Sequence, residues 1–187
     1  MEEEINFIFD SLKEANQGSI NHLIEELRKV RAGKATPSML SSVVVDYYGS
    51  FVPLSQVANV NTLDARTLSV QPWEKAMLDE IAKGVTNANL GLNPQSNGEM
   101  IIINVPMLTE ERRKELAKKA RGEGENAKIS LRNNRKDAID EIKKLKDSGM
   151  SEDLQKNLED DVQNIIKTFS EQIDDLCAKK EVDILTV

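Results

Sequence analysis

Seven cations, Lys114, Lys118, Arg121, Lys128, Arg132, Arg135 and Lys136, recur at spacings that a helix gathers into one band. Projected at roughly 100° per residue, the band is about 100° wide. A row of such side chains on a rigid rod suits one kind of chemistry, the binding of successive phosphates. Arginine serves best there, because its planar fork takes two oxygens at once and stacks on bases. The segment from Thr109 to Lys136 holds ten Lys/Arg against five Asp/Glu. The rest of the chain is acidic: seven Asp/Glu against three Lys/Arg over residues 1–30, six against five over 31–108, and fourteen against seven over 137–187. A chain of net charge -7 has thus gathered its positive charge in one stretch. Two readings stand: a phosphate-contacting surface, or a solvated face whose lysines pair with interspersed acids such as Glu125.

Catalytic constellations are harder to find. The single histidine, His22, and the single cysteine, Cys177, lie far apart in sequence. His22 neighbours Leu23 on a helix and suits a surface or groove position, and Cys177 beside Leu176 suits a small buried hydrophobe better than a reactive thiol. Gly122-Glu-Gly124 and Leu90-Gly-Leu92 neither follow a strand nor open a helix in the order a phosphate-cradling loop requires. The acidic groups Glu159-Asp160-Asp161 and Asp174-Asp175 have no His or Cys partner for a metal. No enzyme, metal or cofactor is expected. One cysteine excludes an intramolecular disulfide and suits a reducing compartment. No apolar run approaches the roughly 18 residues of a membrane span, and MEEEINFIFD is too acidic for a targeting peptide, so a soluble cytosolic protein is expected.

The elements that must position the cation band are long helices. Residues 109–148 read as one, with Thr109 as N-cap, Glu110 and Glu111 in the first turn, Pro106 just before it and Gly149 after it. At about 1.5 Å per residue it is nearly 60 Å long. Leu116, Ala120, Ala127, Leu131, Ala138, Ile142 and Leu145 form its core stripe, about 110° from the centre of the cation band. Residues 3–30 form a second such helix, with Ile5, Ile8, Leu12, Ala15, Ile20, Leu23, Leu27 and Val30 as its stripe and a phase slip near Gln17-Gly-Ser19. Residues 151–183 form the third, opened by Ser151 as N-cap. Three amphipathic helices of matching length need each other's apolar faces, which predicts a three-helix bundle. Between the first two, residues 38–105 change period. Val43–Val45 with Tyr47-Tyr48, Phe51-Val52, Val57–Val60, Thr67–Val70 and Met100–Val105 read as strands, Glu74–Thr86 as a short helix, Leu90–Pro94 as a loop and Gln95–Gly98 as a turn. Tyr47-Tyr48 reads as sheet packing plus turn. The expected fold is α+β: an elongated antiparallel three-helix bundle of residues 1–30 and 106–187, with a small β/α/β domain of residues 31–105 inserted.

Several motifs then resemble those of the ribosome recycling factor family. They are Val30-Arg-Ala-Gly-Lys-Ala-Thr-Pro-Ser38, Val45-Asp-Tyr-Tyr-Gly49, Asn89-Leu-Gly-Leu-Asn-Pro94, Pro106 through Leu116, Arg121-Gly-Glu123, Arg132-Asn-Asn-Arg-Lys-Asp-Ala138 and Ser151-Glu-Asp153. The resemblance runs collinearly over essentially the whole chain. It implies an L-shaped, two-domain translation factor without catalytic activity, whose hinge here would comprise Arg31, Ala32, Gly33, Val105 and Pro106. It implies binding to the large subunit of the 70S ribosome after termination, with the bundle along ribosomal RNA, and splitting of the ribosome together with elongation factor G and GTP. By motif match the RNA-contacting residues would be Arg132 first, then Arg135, Lys128, Arg121, Arg112 and Arg113. The last two lie outside the band, and Arg113 projects toward the core side, where it could pair with an acid of another helix instead. A monomer acting in the cytoplasm, with no membrane association, is expected. The alternative is a helical-bundle adaptor for protein partners, with the charged band serving solubility alone.

Overall fold

A computed structural model of the protein describes residues 1–30 and 33–186, so the expected hinge residues Arg31 and Ala32 lie outside the described residues. The elements run α1 (Glu2–Lys29), β1 (Val44–Tyr47), β2 (Ser50–Pro53), β3 (Ala58–Asp64), β4 (Thr67–Pro72), α2 (Leu78–Asn87), β5 (Asn93–Ser96), β6 (Ile101–Asn104), α3 (Glu110–Asp147) and α4 (Glu152–Leu185). Two compact units result, Met1–Ala32 with Glu110–Val187, and Gly33–Thr109. Among the described residues, no helix is long and apolar enough to cross a membrane.

In the first unit α3 packs against both α1 and α4. Asn16 of α1 meets Asn134 of α3, Glu3 and Glu4 line a hollow with Lys144 and Leu145, and Arg121, Lys128 and Arg135 of α3 meet Glu181, Asp174 and Gln163 of α4, so α3 is antiparallel to both neighbours. The turn from α3 to α4 is built as the sequence suggests. Gly149 takes φ +108, its N–H donates to the Lys146 carbonyl at 2.9 Å, and Met150 N–H donates to the Leu145 carbonyl at 3.3 Å. Ser151 then caps α4 by accepting from Leu154 N–H at 3.3 Å.

The phase slip expected in α1 is absent. The helix runs unbroken through Gly18, and its buried residues follow one seam: Ile8, Leu12, Asn16, Ile20, Leu23 and Leu27. Ala15, placed in the stripe by its apolarity, is exposed, and Asn16 takes that place fully buried. A polar side chain fits there because Asn134 Nδ2 donates to Asn16 Oδ1 at 3.0 Å.

In the second unit β1 and β2 form a hairpin, and β3, β4, β6 and β5 form an antiparallel sheet in that order. Leu68, Val70, Ile101 and Ile103 are fully buried beside Val45, Ile81 and Val85. Gly84 of α2 lies so near β1 that a Cβ there would come within 2.6 Å of the Val44 carbonyl oxygen. The expected loop and turn over 90–98 contain a strand instead: β5 pairs with β6 from Asn93↔Asn104 to Ser96↔Ile101. Its polar residues and Pro94 hide it from a propensity reading, and a proline is tolerated there because β5 is an edge strand. The turn itself survives, shortened: Asn97 Oδ1 accepts from Glu99 and Met100 N–H, with Gly98 at φ +90. Tyr47 is half-buried against the sheet unit's core, whereas Tyr48 is exposed at φ +50. Both hydroxyls donate to the Glu74 carboxylate at 3.0 Å, which holds both phenols above their usual pKa.

The return to the bundle comes later than the expected residue 106. Val105 is buried in the sheet unit's core and its N–H donates to the Arg66 carbonyl at 2.8 Å, and α3 begins at Glu110.

Two glycines of α3, only two positions apart, sit in opposite environments. A Cβ at Gly124 would collide with Cys177 Sγ of α4, while a Cβ at Gly122 would meet nothing within 4 Å. Gly122→Ala is expected to stabilise by up to about 1 kcal/mol through helix propensity. Gly124→Ala is expected to destabilise by about 1–3 kcal/mol through overpacking, with Cys177→Ala restoring most of the loss. Urea unfolding of wild type and these variants checks both signs, and equal effects of the two alanines would refute the packing account.

Candidate nucleic-acid interface

The core stripe of α3 fixes where the cations point. Leu116, Ala117, Ala120, Gly124, Ala127, Leu131, Ala138 and Ile142 are buried. Opposite them runs an exposed ridge of Lys118, Gly122, Glu125, Ile129, Arg132 and Lys136. Lys118, Arg132 and Lys136 have no hydrogen-bond or ion-pair partner among the described residues, so their charges are free for an incoming anion.

The α4 side of the band is different. Arg121 Nε is ion-paired to Glu181, and Lys128 Nζ to Asp174 Oδ1 at 2.6 Å. That bond to Asp174 holds the Lys128 ammonium above its usual pKa. Arg135 is half-buried and donates through Nη1 to Gln163 Oε1 at 3.0 Å, with its Nε buried and unpartnered. Arg112 Nη1 donates to Glu115 Oε2 at 2.8 Å, and Lys114 pairs with Glu110 at 3.0 Å. Arg113 is half-buried, as its projection suggests, but its buried Nε has no partner. The six expected residues therefore fall into one free arginine, four tethered cations and one half-buried arginine.

Sequence reasoning missed Asp174, considered there only as an acid without a metal-binding partner, and did not single out Glu181. Their signal was present: they are seven residues apart, as are Arg121 and Lys128, and antiparallel helices bring such pairs into register. Cys177 lies in the same α3–α4 groove, half-buried, with Sγ 3.8 Å from the Ala120 carbonyl oxygen. Burial pushes its thiol above the usual pKa, which makes it a poor nucleophile. Among the described residues there is no group of three or more His, Cys, Asp or Glu that could hold a metal ion. Gly33, of the expected hinge, takes φ +78, and a Cβ there would come within 2.8 Å of the Leu108 side chain.

Fold and site together define an α+β protein: a bundle of long helices carrying a cation-bearing face, with a small sheet unit inserted in it. The family model of the ribosome recycling factor matches residues 23–185, and the chain belongs to that family. It is 55% identical over 185 residues to the ribosome-recycling factor of Christiangramia forsetii, covering 99% of this chain and 100% of that one. Its structure is similar to a solution structure of the ribosome recycling factor, with a TM-score of 0.74 at 29% identity and 98% of each chain covered. It is also similar, with a TM-score of 0.62 at 40% identity, to the T. thermophilus ribosome recycling factor bound, with E. coli elongation factor G, to the E. coli post-termination complex; 97% of this chain and 98% of that one are covered. The family is one of non-enzymatic translation factors acting in protein biosynthesis.

Asp174 and Glu181 occupy cations that a polyanion would otherwise take. Replacing both (Asp174→Asn, Glu181→Gln) is expected to lower the melting temperature only slightly, since each pair keeps one well-exposed member and such pairs contribute little. The same variant should elute from immobilised heparin at higher salt than wild type, and unchanged elution would show that the acids do not hold the cations back.

Proposed function

We propose that the protein binds the large subunit of the post-termination 70S ribosome through the α3 ridge. Together with elongation factor G and GTP, it splits that ribosome into subunits in the cytoplasm. Family membership supports the recycling role, and the T. thermophilus relative placed with elongation factor G on the post-termination complex supports the partners. The single observation that carries the RNA-binding surface is Arg132, exposed, free of any acid and flanked on the ridge by the free Lys136. Arg135, Lys128 and Arg121 would follow, each exchanging an internal partner for a phosphate. Arg112 would do likewise by giving up Glu115, and Arg113, half-buried, would contribute least.

The mechanics suit a rod and a hinge. A bundle with one apolar seam along its length resists bending and transmits force. The crossings at Ala32–Gly33 and Thr109–Glu110, with Pro106 between β6 and α3, would let the inserted unit move against it when elongation factor G pushes. The protein acts as a monomer in this reading, and binding and motion are its whole contribution. GTP hydrolysis by elongation factor G supplies the energy.

Co-sedimentation with isolated large ribosomal subunits over a salt series tests the surface. A surface making six to ten phosphate contacts loses about 10³–10⁵ in affinity between 50 and 200 mM salt. Arg132→Glu should weaken binding at low salt by about tenfold or more, the worth of a charge-assisted hydrogen bond. Salt-insensitive binding that ignores the substitution would instead favour a protein adaptor. Separately, a disulfide engineered to tie the bundle to the inserted unit across the crossings should leave subunit binding intact and stop splitting with elongation factor G and GTP; undiminished splitting would remove the hinge from the mechanism.

A further inference from the structure

The bundle carries a second feature that RNA binding does not use. At the end away from the chain crossings, α1 and α3 leave a groove of about 270 Å³ walled by Phe7, Ile8, Leu12 and Ala138. An adjoining hollow of about 320 Å³ shares Phe7, Ile8 and Glu141 and runs on to Leu145. Phe7 stands 72% exposed on its edge, a large aromatic surface left in water. The rim is acidic: Glu3, Glu4, Asp137 and Glu141. Its one cation, Lys144, is ion-paired to Glu141, and Glu4 is paired to the Met1 amino group, which leaves Glu3 and Asp137 without an ion-pair partner among the described residues. On the projection of α3, Asp137 and Glu141 lie on the flank away from the cation band, so the two surfaces do not compete.

An apolar floor with a negative rim rejects phosphate by like charge and gives a neutral apolar partner no use for the acids. It fits a cationic polypeptide that offers one aliphatic or aromatic anchor, with lysine or arginine stems lying along the floor and their heads on the rim carboxylates. The geometry points to this groove as a docking site for a Lys/Arg-rich protein segment on the same ribosomal subunit whose RNA the opposite flank engages. This rests on the reading of the ridge as the RNA surface: a ribonucleoprotein presents both phosphates and the basic polypeptide that neutralises them. One rod with two oppositely charged flanks can hold both.

The test places the photo-crosslinking amino acid 4-benzoylphenylalanine at position 7, with a control at Gly18, which is exposed on the same helix with nothing within 4 Å. Each protein is bound to purified large ribosomal subunits, irradiated, and the product is digested with ribonuclease or protease and mapped. The expected product at position 7 survives ribonuclease and contains a Lys/Arg-rich peptide, with the Gly18 control giving none. Phe7→Ala combined with Asp137→Lys should also weaken subunit binding by about tenfold, the usual loss when an interface anchor is truncated. Attachment to RNA, attachment to a peptide poor in Lys and Arg, or a yield no higher than the control would overturn the proposal. If the unsubstituted protein does not sediment with the subunits at all, the ridge reading fails, and the groove proposal with it. Binding that stays intact without the crosslink sinks the groove alone.

Discussion

The close contact of α3 with α4 is the constraint on which the rest of the bundle depends. After Leu116, the first half of α3 buries only small residues, Ala117, Ala120, Gly124 and Ala127, and the second half buries Leu131, Ala138 and Ile142. The small residues let the helix backbones approach until Cys177 Sγ fills the space where a Gly124 Cβ would sit. That approach has an electrostatic consequence. It brings Asp174 and Glu181 within reach of Lys128 and Arg121, so the packing of apolar atoms decides which cations of the band are tethered. Arg132 and Lys136, on the ridge opposite the seam, escape because no element of the bundle covers that side. Burying a leucine or isoleucine contributes about 1.5–3 kcal/mol, whereas an exposed ion pair contributes about 0–1 kcal/mol. The seam therefore sets the geometry, and the charges adapt to it.

The long helices were legible because periodicity over 28 to 38 residues averages out local exceptions. Their ends were legible for a local reason: Ser151 and Gly149 act through bonds and angles reaching only a few residues. The failures share one cause, the dependence of a residue's place on a partner distant in sequence. Asn16 looks like a slip in an apolar stripe until Asn134, 118 residues away, supplies its bond. β5 looks like loop until β6 offers an edge for Asn93–Ser96 to pair with. The cation band was visible as composition, but its division into free and tethered members was not, because Asp174 and Glu181 belong to a different helix.

The charge distribution on α3 shows how an acidic chain can keep a cation-bearing face without neutralising it. Acids placed on the same face as the cations, such as Glu125, weaken the local field directly. Most of the chain's carboxylates instead lie on α1, on α4 and on the Asp137–Glu141 end of α3. Asp174 and Glu181 are the exceptions, and their positions limit the damage. Each engages a cation on the edge of the band nearest α4, not one on the ridge. A rod so arranged offers free cations to an anion arriving from the solvent side, and a second tier of cations once the incoming phosphates outcompete two carboxylates. Affinity would then grow stepwise as the surface seats.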